Sequence, residues 1–137
     1  MAKILIVEDN EANMKLALLL LRNAGHIALC AEDAETGLML ARADQPDLIL
    51  MDIQLPGMDG LAATRLLKQD PATAAIPIIA LTAMAMKEDR EKTKAAGCDA
   101  YIAKPLRYQK LYATIDALLA KGKAPLASEA DPFSLAP

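Results

Sequence analysis

Four consecutive apolar residues, Leu48 to Met51, are followed directly by Asp52 and then by a loop that contains Pro56 and Gly57. A strand with one solvated face alternates apolar and polar side chains, so this unbroken run predicts a strand buried on both faces, as in a parallel sheet. In open α/β sheets the functional crevice lies outside the carboxyl ends of the strands. The run therefore favours the α/β class and makes Asp52 a candidate site residue.

Strand and helix patterns alternate five times along the chain. Asn10 and Asp33 are predicted N-caps, and Gly97 is a predicted C-terminal cap. Strands that alternate with helices imply right-handed crossovers and a parallel sheet, and five of them suit the doubly wound order 2-1-3-4-5. Apolar runs predict strands over 3–7, 26–31, 48–51, 76–82 and 100–103, and apolar residues at helical spacing predict helices over 10–25, 33–45, 60–68, 87–96 and 108–121.

The chain divides by composition into one domain and a terminal segment. Its 137 residues are about the size of one domain, which we place at residues 1–121. Residues 122–137 contain Pro, Gly, Ser and acidic residues without periodicity. We therefore expect this tail to be disordered, with no output domain after it.

Charge and hydropathy exclude several classes of function. The net charge of −3 and the pI of about 5.1 offer no basic patch to nucleic acid or to an anionic membrane. The N-terminus has no targeting segment, and no apolar run reaches the roughly 18 residues of a membrane span, so we expect a cytoplasmic protein without membrane insertion. Cys30 and Cys98 lack metal or redox spacing, and we interpret both as buried free thiols.

Four of the five predicted strands end on polar residues, and parallel strands bring those ends to one edge of the sheet. Strands 1 and 3 are neighbours in the predicted order, so three carboxylates converge there. Such like charges call for a divalent cation, and oxygen ligands suit Mg²⁺, with Asp9 and Asp52 as the expected ligands. The polar residues at this edge are Glu8, Asp9, Asp52, Thr82 and Lys104.

A metal beside a carboxylate, a hydroxyl and an ammonium indicates phosphoryl transfer. In this interpretation Asp52 attacks phosphorus, Lys104 and Mg²⁺ hold the phosphoryl oxygens, and Thr82 donates a hydrogen bond. Each residue by itself has an ordinary structural explanation as a helix cap, a turn residue, a strand end or a solvated side chain. Their joint position at one sheet edge favours the functional interpretation.

Four longer segments around these residues carry a family resemblance: Val7-Glu8-Asp9-Asn10, Leu50 to Gly60, Leu81-Thr82-Ala83 and Asp99 to Pro105. Through them the chain resembles a response-regulator receiver domain over residues 2 to about 121. The resemblance implies a flavodoxin-like fold and a non-enzymatic phosphoacceptor, whose Asp52 receives a phosphoryl group from a phosphohistidine of a sensor histidine kinase.

The resemblance also implies a ligand set and a switch. Mg²⁺ would be held by Asp9, Asp52 and the backbone carbonyl of Gln54, with Glu8 acting through water. Thr82 and Tyr101 would form the switch pair, in which Tyr101 turns from solvent toward the core. The peptide between Lys104 and Pro105 is expected to be cis.

Signal output is expected through protein contacts on the fourth helix, the fifth strand and the fifth helix. The methionines Met84 and Met86 offer adaptable apolar contacts, and Arg107 and Tyr108 are side chains of the kind found at interface hot spots. The alternative is that Tyr101 and Tyr108 only pack the sheet edge. The expected partners of this monomer are histidine kinases or phosphatases and kinase-like targets.

Within the family, the segments 8–16, 83–87 and 96–102 are similar to single-domain regulators of cell division. A competing interpretation is a pseudo-receiver, an interaction module that is not phosphorylated. A flavin-binding protein is disfavoured because Glu8 and Asp9 would repel a phosphate. A phosphatase of the haloacid dehalogenase type needs a second Asp where Gln54 stands, and no GxxxxGK[ST] or GxGxxG motif is present.

Overall fold

Five strands and five helices alternate along the described part of the chain, as the sequence predicts. The computed structural model describes residues 2–83 and 87–121. The tail predicted to be disordered, residues 122–137, lies outside the described residues. The elements are β1 (Lys3–Val7), α1 (Glu11–Asn23), β2 (Ile27–Ala31), α2 (Ala34–Asp44), β3 (Leu48–Asp52), α3 (Gly60–Gln69), β4 (Ile78–Thr82), α4 (Lys87–Ala96), β5 (Ala100–Ala103) and α5 (Tyr108–Lys121).

The strands form one parallel sheet in the order β2-β1-β3-β4-β5, which confirms the predicted topology. Val7 pairs with Met51 and Asp52 with Leu81, so the residues that follow these strands emerge at nearly one level. The fourth strand begins at Ile78 rather than at the predicted position 76. Residue 77 is a proline, which has no N–H to donate to the ladder.

The core lies in two layers, one on each face of the sheet. Leu5 and Val7 of β1 pack toward α2 and α3, whereas Ile4 and Ile6 pack toward α1 and α5. All five residues of β3 are buried, which confirms that this strand is covered on both sides. The apolar run is therefore the centre of the sheet, and its last residue is delivered to the carboxyl edge.

The edge strand β2 is less covered, and one prediction about it is wrong. Cys98 is buried, as predicted, but Cys30 is exposed. Among the described strands, β2 pairs with β1 alone, and most of its side chains are exposed or half-buried. An apolar stretch in the sequence does not guarantee burial at the rim of a sheet.

Local capping explains where the helices begin. The Asn10 side chain accepts a hydrogen bond from the Asn13 N–H at 2.9 Å, and the Asp33 side chain accepts one at 2.7 Å from the Thr36 N–H. Both N-caps confirm the predictions. Gly97, which follows α4, has a φ of 107°, a conformation that favours glycine. Within the described part of the chain, no helix combines the length and the hydropathy needed to cross a membrane.

Candidate functional site

Three carboxylates meet at the carboxyl edge of the sheet, where β1 and β3 are neighbours. Glu8, Asp9 and Asp52 each offer a carboxylate oxygen, and these oxygens lie within 4.8 Å of one another. Glu8 and Asp52 are only 2% exposed, whereas Asp9 is exposed. The predicted convergence of the three carboxylates is therefore confirmed, and the cluster opens to solvent on the Asp9 side.

One ammonium lies inside this cluster. Lys104 Nζ is 2.7 Å from Glu8 Oε1 and 3.1 Å from Asp52 Oδ2. The backbone N–H of Asn10 donates to Glu8 Oε2 at 3.1 Å and holds that carboxylate in place. Among the described side chains, the single positive charge of Lys104 cannot neutralise three carboxylates, so these ionised groups keep an excess of negative charge that a cation can offset.

The same contacts shift the pKa values of two groups. Burial is the main reason that the pKa of Glu8 is raised, and the neighbouring Asp52 adds to it, against the opposing effects of Lys104 and the Asn10 N–H. Burial by itself would lower the pKa of Lys104, but its hydrogen bonds to Glu8 and Asp52 and their charges outweigh that effect and raise it. Lys104 is therefore positively charged at neutral pH, beside a carboxyl group that ionises reluctantly.

The Asp52 side chain is fixed by the turn that follows β3. The backbone N–H of Gln54 donates to Asp52 Oδ1 at 2.9 Å, while Lys104 holds the other oxygen. A Cβ atom at Gly60 would overlap the Asp52 backbone carbonyl oxygen and lie 2.6 Å from the Ile53 Cα. Gly60 thus allows the first turn of α3 to pack directly against the backbone that carries Asp52.

The ends of β4 and β5 complete the site. Thr82 is fully buried at the end of β4, and its carbonyl oxygen accepts a hydrogen bond from the Lys104 N–H at 2.7 Å. The next residue, Ala83, donates its N–H to the side-chain oxygen of Gln54 at 3.4 Å. The Lys104–Pro105 peptide is cis, as expected. The loops after β3, β4 and β5 are therefore tied together around Asp52.

The donor set fits the predicted magnesium ion. Magnesium prefers carboxylate, carbonyl and water oxygens and is commonly held by one or two carboxylates. The carboxylates of Asp9 and Asp52 meet that requirement, and Glu8 lies close enough to act through water. The part assigned to the Gln54 backbone carbonyl stays a prediction.

The predicted switch and output residues lie along β5 and the start of α5. Tyr101 is only 3% exposed, so the structure holds this ring inward, in the position that the switch hypothesis assigns to the turned-in state. Burial, assisted by the charge of Asp89, raises the pKa of Tyr101. Arg107 and Tyr108 are exposed, and the Tyr108 ring meets the Tyr112 ring edge-on at 6.0 Å. The predicted contacts Met84 and Met86 lie outside the described residues.

Two features of the site were missed by the sequence analysis. The direct contact between Glu8 and Lys104 was not foreseen, because the two residues are 96 positions apart and each already had another predicted role. The need for Gly60 was also missed. That need arises from the close approach of α3 to the backbone of Asp52 and Ile53, which the sequence alone does not show.

Comparisons with known proteins agree with this geometry. The family model described as "Response regulator receiver domain" matches residues 4–116. The polar-differentiation response regulator DivK of Brucella anthropi is 47% identical over 116 residues, which are 85% of this chain and 94% of that protein, and DivK of Brucella ovis matches equally.

Solved structures give the same result. The receiver domain of sensor histidine kinase PA1611 from Pseudomonas aeruginosa, with magnesium coordinated in its active site cleft, has a TM-score of 0.82 and 35% identity and covers 87% of this chain and 98% of its own. The chemotaxis protein CheY4 of Vibrio cholerae has a TM-score of 0.82 and 26% identity, and covers 86% of this chain and 98% of its own.

Proposed function

The chain belongs to the response regulator receiver domain family of two-component signalling, and from that premise we propose that Asp52 is its phosphoacceptor. The donor is a phosphohistidine of a sensor histidine kinase. The single observation that carries the proposal is the buried Asp52 carboxylate, 3.1 Å from the Lys104 ammonium and within 4.8 Å of two further carboxylates. The chain thus acts as a phosphoacceptor that assists its own reaction rather than as an enzyme.

The transfer is a displacement at phosphorus. An Asp52 carboxylate oxygen forms the new O–P bond, and the P–N bond to the partner's histidine breaks, with its electron pair remaining on the imidazole nitrogen. Lys104 Nζ already contacts Asp52 Oδ2. Its ammonium can therefore pair with the negative charge on a phosphoryl oxygen once the group is bound to Asp52. Thr82, at the end of the neighbouring strand, donates its hydroxyl to another phosphoryl oxygen.

The acidic cluster would hold Mg²⁺ through Asp9, Asp52 and the Gln54 backbone carbonyl, with Glu8 acting through water. When bound, the ion would supply neutralisation of the negative charge on the transferring phosphoryl group. Glu8 has a second part in this proposal, since its contact at 2.7 Å orients the Lys104 ammonium.

The signal leaves through the face of α4, β5 and α5. A phosphoryl group brings a charge of about −1.5 to −2 to the site, and Thr82 moves toward it. The inward position of Tyr101, on the neighbouring strand β5, is then favoured, and the surface with Arg107 and Tyr108 is presented to kinase-like targets. Similarity to DivK proteins supports a role of this cytoplasmic monomer in cell division or polar differentiation.

The experiment that tests this function is phosphotransfer from a labelled histidine kinase to the full chain. We expect Asp52→Asn to abolish labelling, because the amide is not a nucleophile, and a chelator of divalent ions to suppress labelling of the wild type. Asp99→Asn is the matched control, since Asp99 is also held by a lysine, at 3.0 Å, yet lies at the opposite sheet edge. Full labelling of Asp52→Asn, or an unlabelled wild type with Mg²⁺ present, would contradict the proposal and favour the pseudo-receiver.

A further inference from the structure

A groove of about 400 Å³ runs between β5 and the start of α5. Arg107 and Lys110 on its rim are exposed, and no ion pair among the described residues engages either of them. Lys104 also borders the groove, but its ammonium is held inside the acidic site. The groove thus has an apolar floor and a rim with two available positive charges. Its other lining residues are Tyr101, Ile102, Ala103 and Pro105.

The sequence beyond α5 has the complementary chemistry. Sixteen residues follow Lys121, and after Lys123 they include no basic residue. Glu129 and Asp131 are acidic, and Phe133, two positions later, is the only phenylalanine in the chain. This segment lies outside the family match, which ends at residue 116. Neither the fold nor the proposed function has so far given it a role.

The length of the segment suits a return to the groove. In a parallel sheet with crossover helices, α5 runs from the carboxyl edge to the opposite edge, and its 14 residues span about 21 Å. The eight residues from Gly122 to Glu129 reach roughly 26 Å when extended. A chain that turns back along α5 therefore brings Glu129 to the level of Arg107 and Lys110, and Phe133 to the groove itself.

We propose that residues 128–133 dock in the groove between β5 and α5 of their own chain, with Glu129 and Asp131 beside Arg107 and Lys110 and with Phe133 on the apolar floor. Burial of the phenylalanine ring and the exposed ion pairs each contribute only modestly to the binding energy, so docking is reversible and needs both contributions. The segment would then compete with partners for this face. That consequence rests on the proposed function, whereas the docking itself does not.

The test uses the full chain with Phe133→Trp, since the protein has no tryptophan of its own. We expect blue-shifted emission relative to free tryptophan amide and several-fold protection from acrylamide quenching. Arg107→Glu with Lys110→Glu, added to this background, should remove both signals. Arg22→Glu with Arg65→Glu is the matched control, because it makes the same change in net charge at exposed positions on other helices.

Charge exchange provides the positive test. Glu129→Lys with Asp131→Lys should abolish the blue shift on its own and restore it when combined with Arg107→Glu and Lys110→Glu. A tryptophan that is fully quenched and red-shifted in the parent, or an equal effect of the control pair, would overturn the proposal. A blue shift that vanishes on dilution would also overturn it, by assigning the segment to the groove of a second copy. No phosphoryl donor is present, so failure here is distinct from failure of the phosphoacceptor proposal.

Discussion

The two edges of the sheet each hold a lysine against a carboxylate, but the charges of the contacting groups balance at only one of these two described contacts. At the amino edge, Lys68 Nζ lies 3.0 Å from Asp99 Oδ2 and donates to the carbonyl oxygens of Ala74 and Ile76 at 3.2 and 2.8 Å. The same Asp99 oxygen accepts the Ile78 N–H at 2.9 Å. One positive and one negative charge cancel, and the contacts fasten the start of two strands to the end of α3.

The carboxyl edge has the opposite balance. Lys104 is shared by Glu8 and Asp52, and Asp9 adds a third carboxylate. Buried groups of like charge cost folding energy, and proteins retain such groups chiefly where a ligand or a reaction uses them. A lysine–carboxylate contact therefore does not identify a functional site in this fold. What identifies the functional site is the negative charge that the lysine leaves uncompensated.

Because the two lysines contact different groups, they should not be interchangeable in phosphoryl transfer. We expect Lys104→Ala to slow phosphoryl acceptance by about 10²-fold or more, because developing charge on the phosphoryl oxygens loses its partner. Lys68→Ala should leave that rate unchanged, since its contacts lie at the other edge. Rapid-quench phosphotransfer at saturating Mg²⁺ measures both. Equal losses in the two variants would mean that Lys104 acts only through the fold.

The sequence was sufficient to predict the architecture of both edges. The bounds of α4, β5 and α5 agree with the predictions to the residue, because Gly97, Pro105 and the change of apolar spacing mark them clearly. The strand order then places every strand-end residue at one edge without any side-chain information. Convergence of Asp9 and Asp52 follows from topology and needs no knowledge of rotamers.

Side-chain partners could not be predicted in this way. A pattern of apolar residues shows which face of a strand is buried, but a lysine with four methylene groups can reach several acceptors. Lys104 donates hydrogen bonds to both Glu8 and Asp52, and Lys68 donates one to Asp99, which is 31 positions away in the sequence. The exposure of Cys30 was missed for a related reason, since coverage of an edge strand depends on helices that the strand's own sequence does not describe.

The two edges should also differ in their contribution to the free energy of unfolding. Asp99→Ala leaves the Ile78 N–H without its acceptor and Lys68 without its counter-charge, so the free energy of unfolding should fall by about 1–3 kcal/mol. Asp52→Asn removes one of three clustered charges and should not lower it. Urea denaturation in chelator measures both values. A larger loss for Asp52→Asn than for Asp99→Ala would reverse the roles assigned to the two edges.

A third prediction concerns pH. Burial and Asp52 raise the pKa of Glu8 above its ordinary 4.5, so the folded state holds this proton more tightly than the unfolded state does. As pH rises from 4.5, the ordinary pKa, through the raised pKa of the folded state, ionisation of Glu8 progressively lowers the free energy of unfolding. The pKa of Lys104 is raised above 10.5, so its contribution is complete throughout this range and lost only at alkaline pH.

We therefore expect wild-type stability to decline relative to Glu8→Gln as pH rises above 4.5, the ordinary pKa of a glutamate. Urea titrations in chelator at several pH values give this difference. Glu35→Gln, on the exposed surface of α2, is the control variant and should show no such trend. If the wild type instead became more stable than Glu8→Gln as pH rises, the attraction of Lys104 for the Glu8 carboxylate would outweigh the effect of burial on its pKa.

The smallest expected effect uses Cys98 as a reporter of the amino edge. Burial raises the pKa of this thiol to about 11, and its Sγ lies 3.8 Å from Thr64 Oγ1, so it reacts with alkylating reagents only when the surrounding structure opens. Asp99→Ala should speed its alkylation, by about fivefold for each 1 kcal/mol lost from the opening energy. Lys104→Ala should leave that rate unchanged. Mass spectrometry resolves the two thiols, and the exposed Cys30 serves as the internal control for reagent activity. If Lys104→Ala increased the alkylation rate of Cys98 as much as Asp99→Ala does, the two edges would open together. The contacts of Asp99 would then not stabilise the amino edge independently of the carboxyl edge.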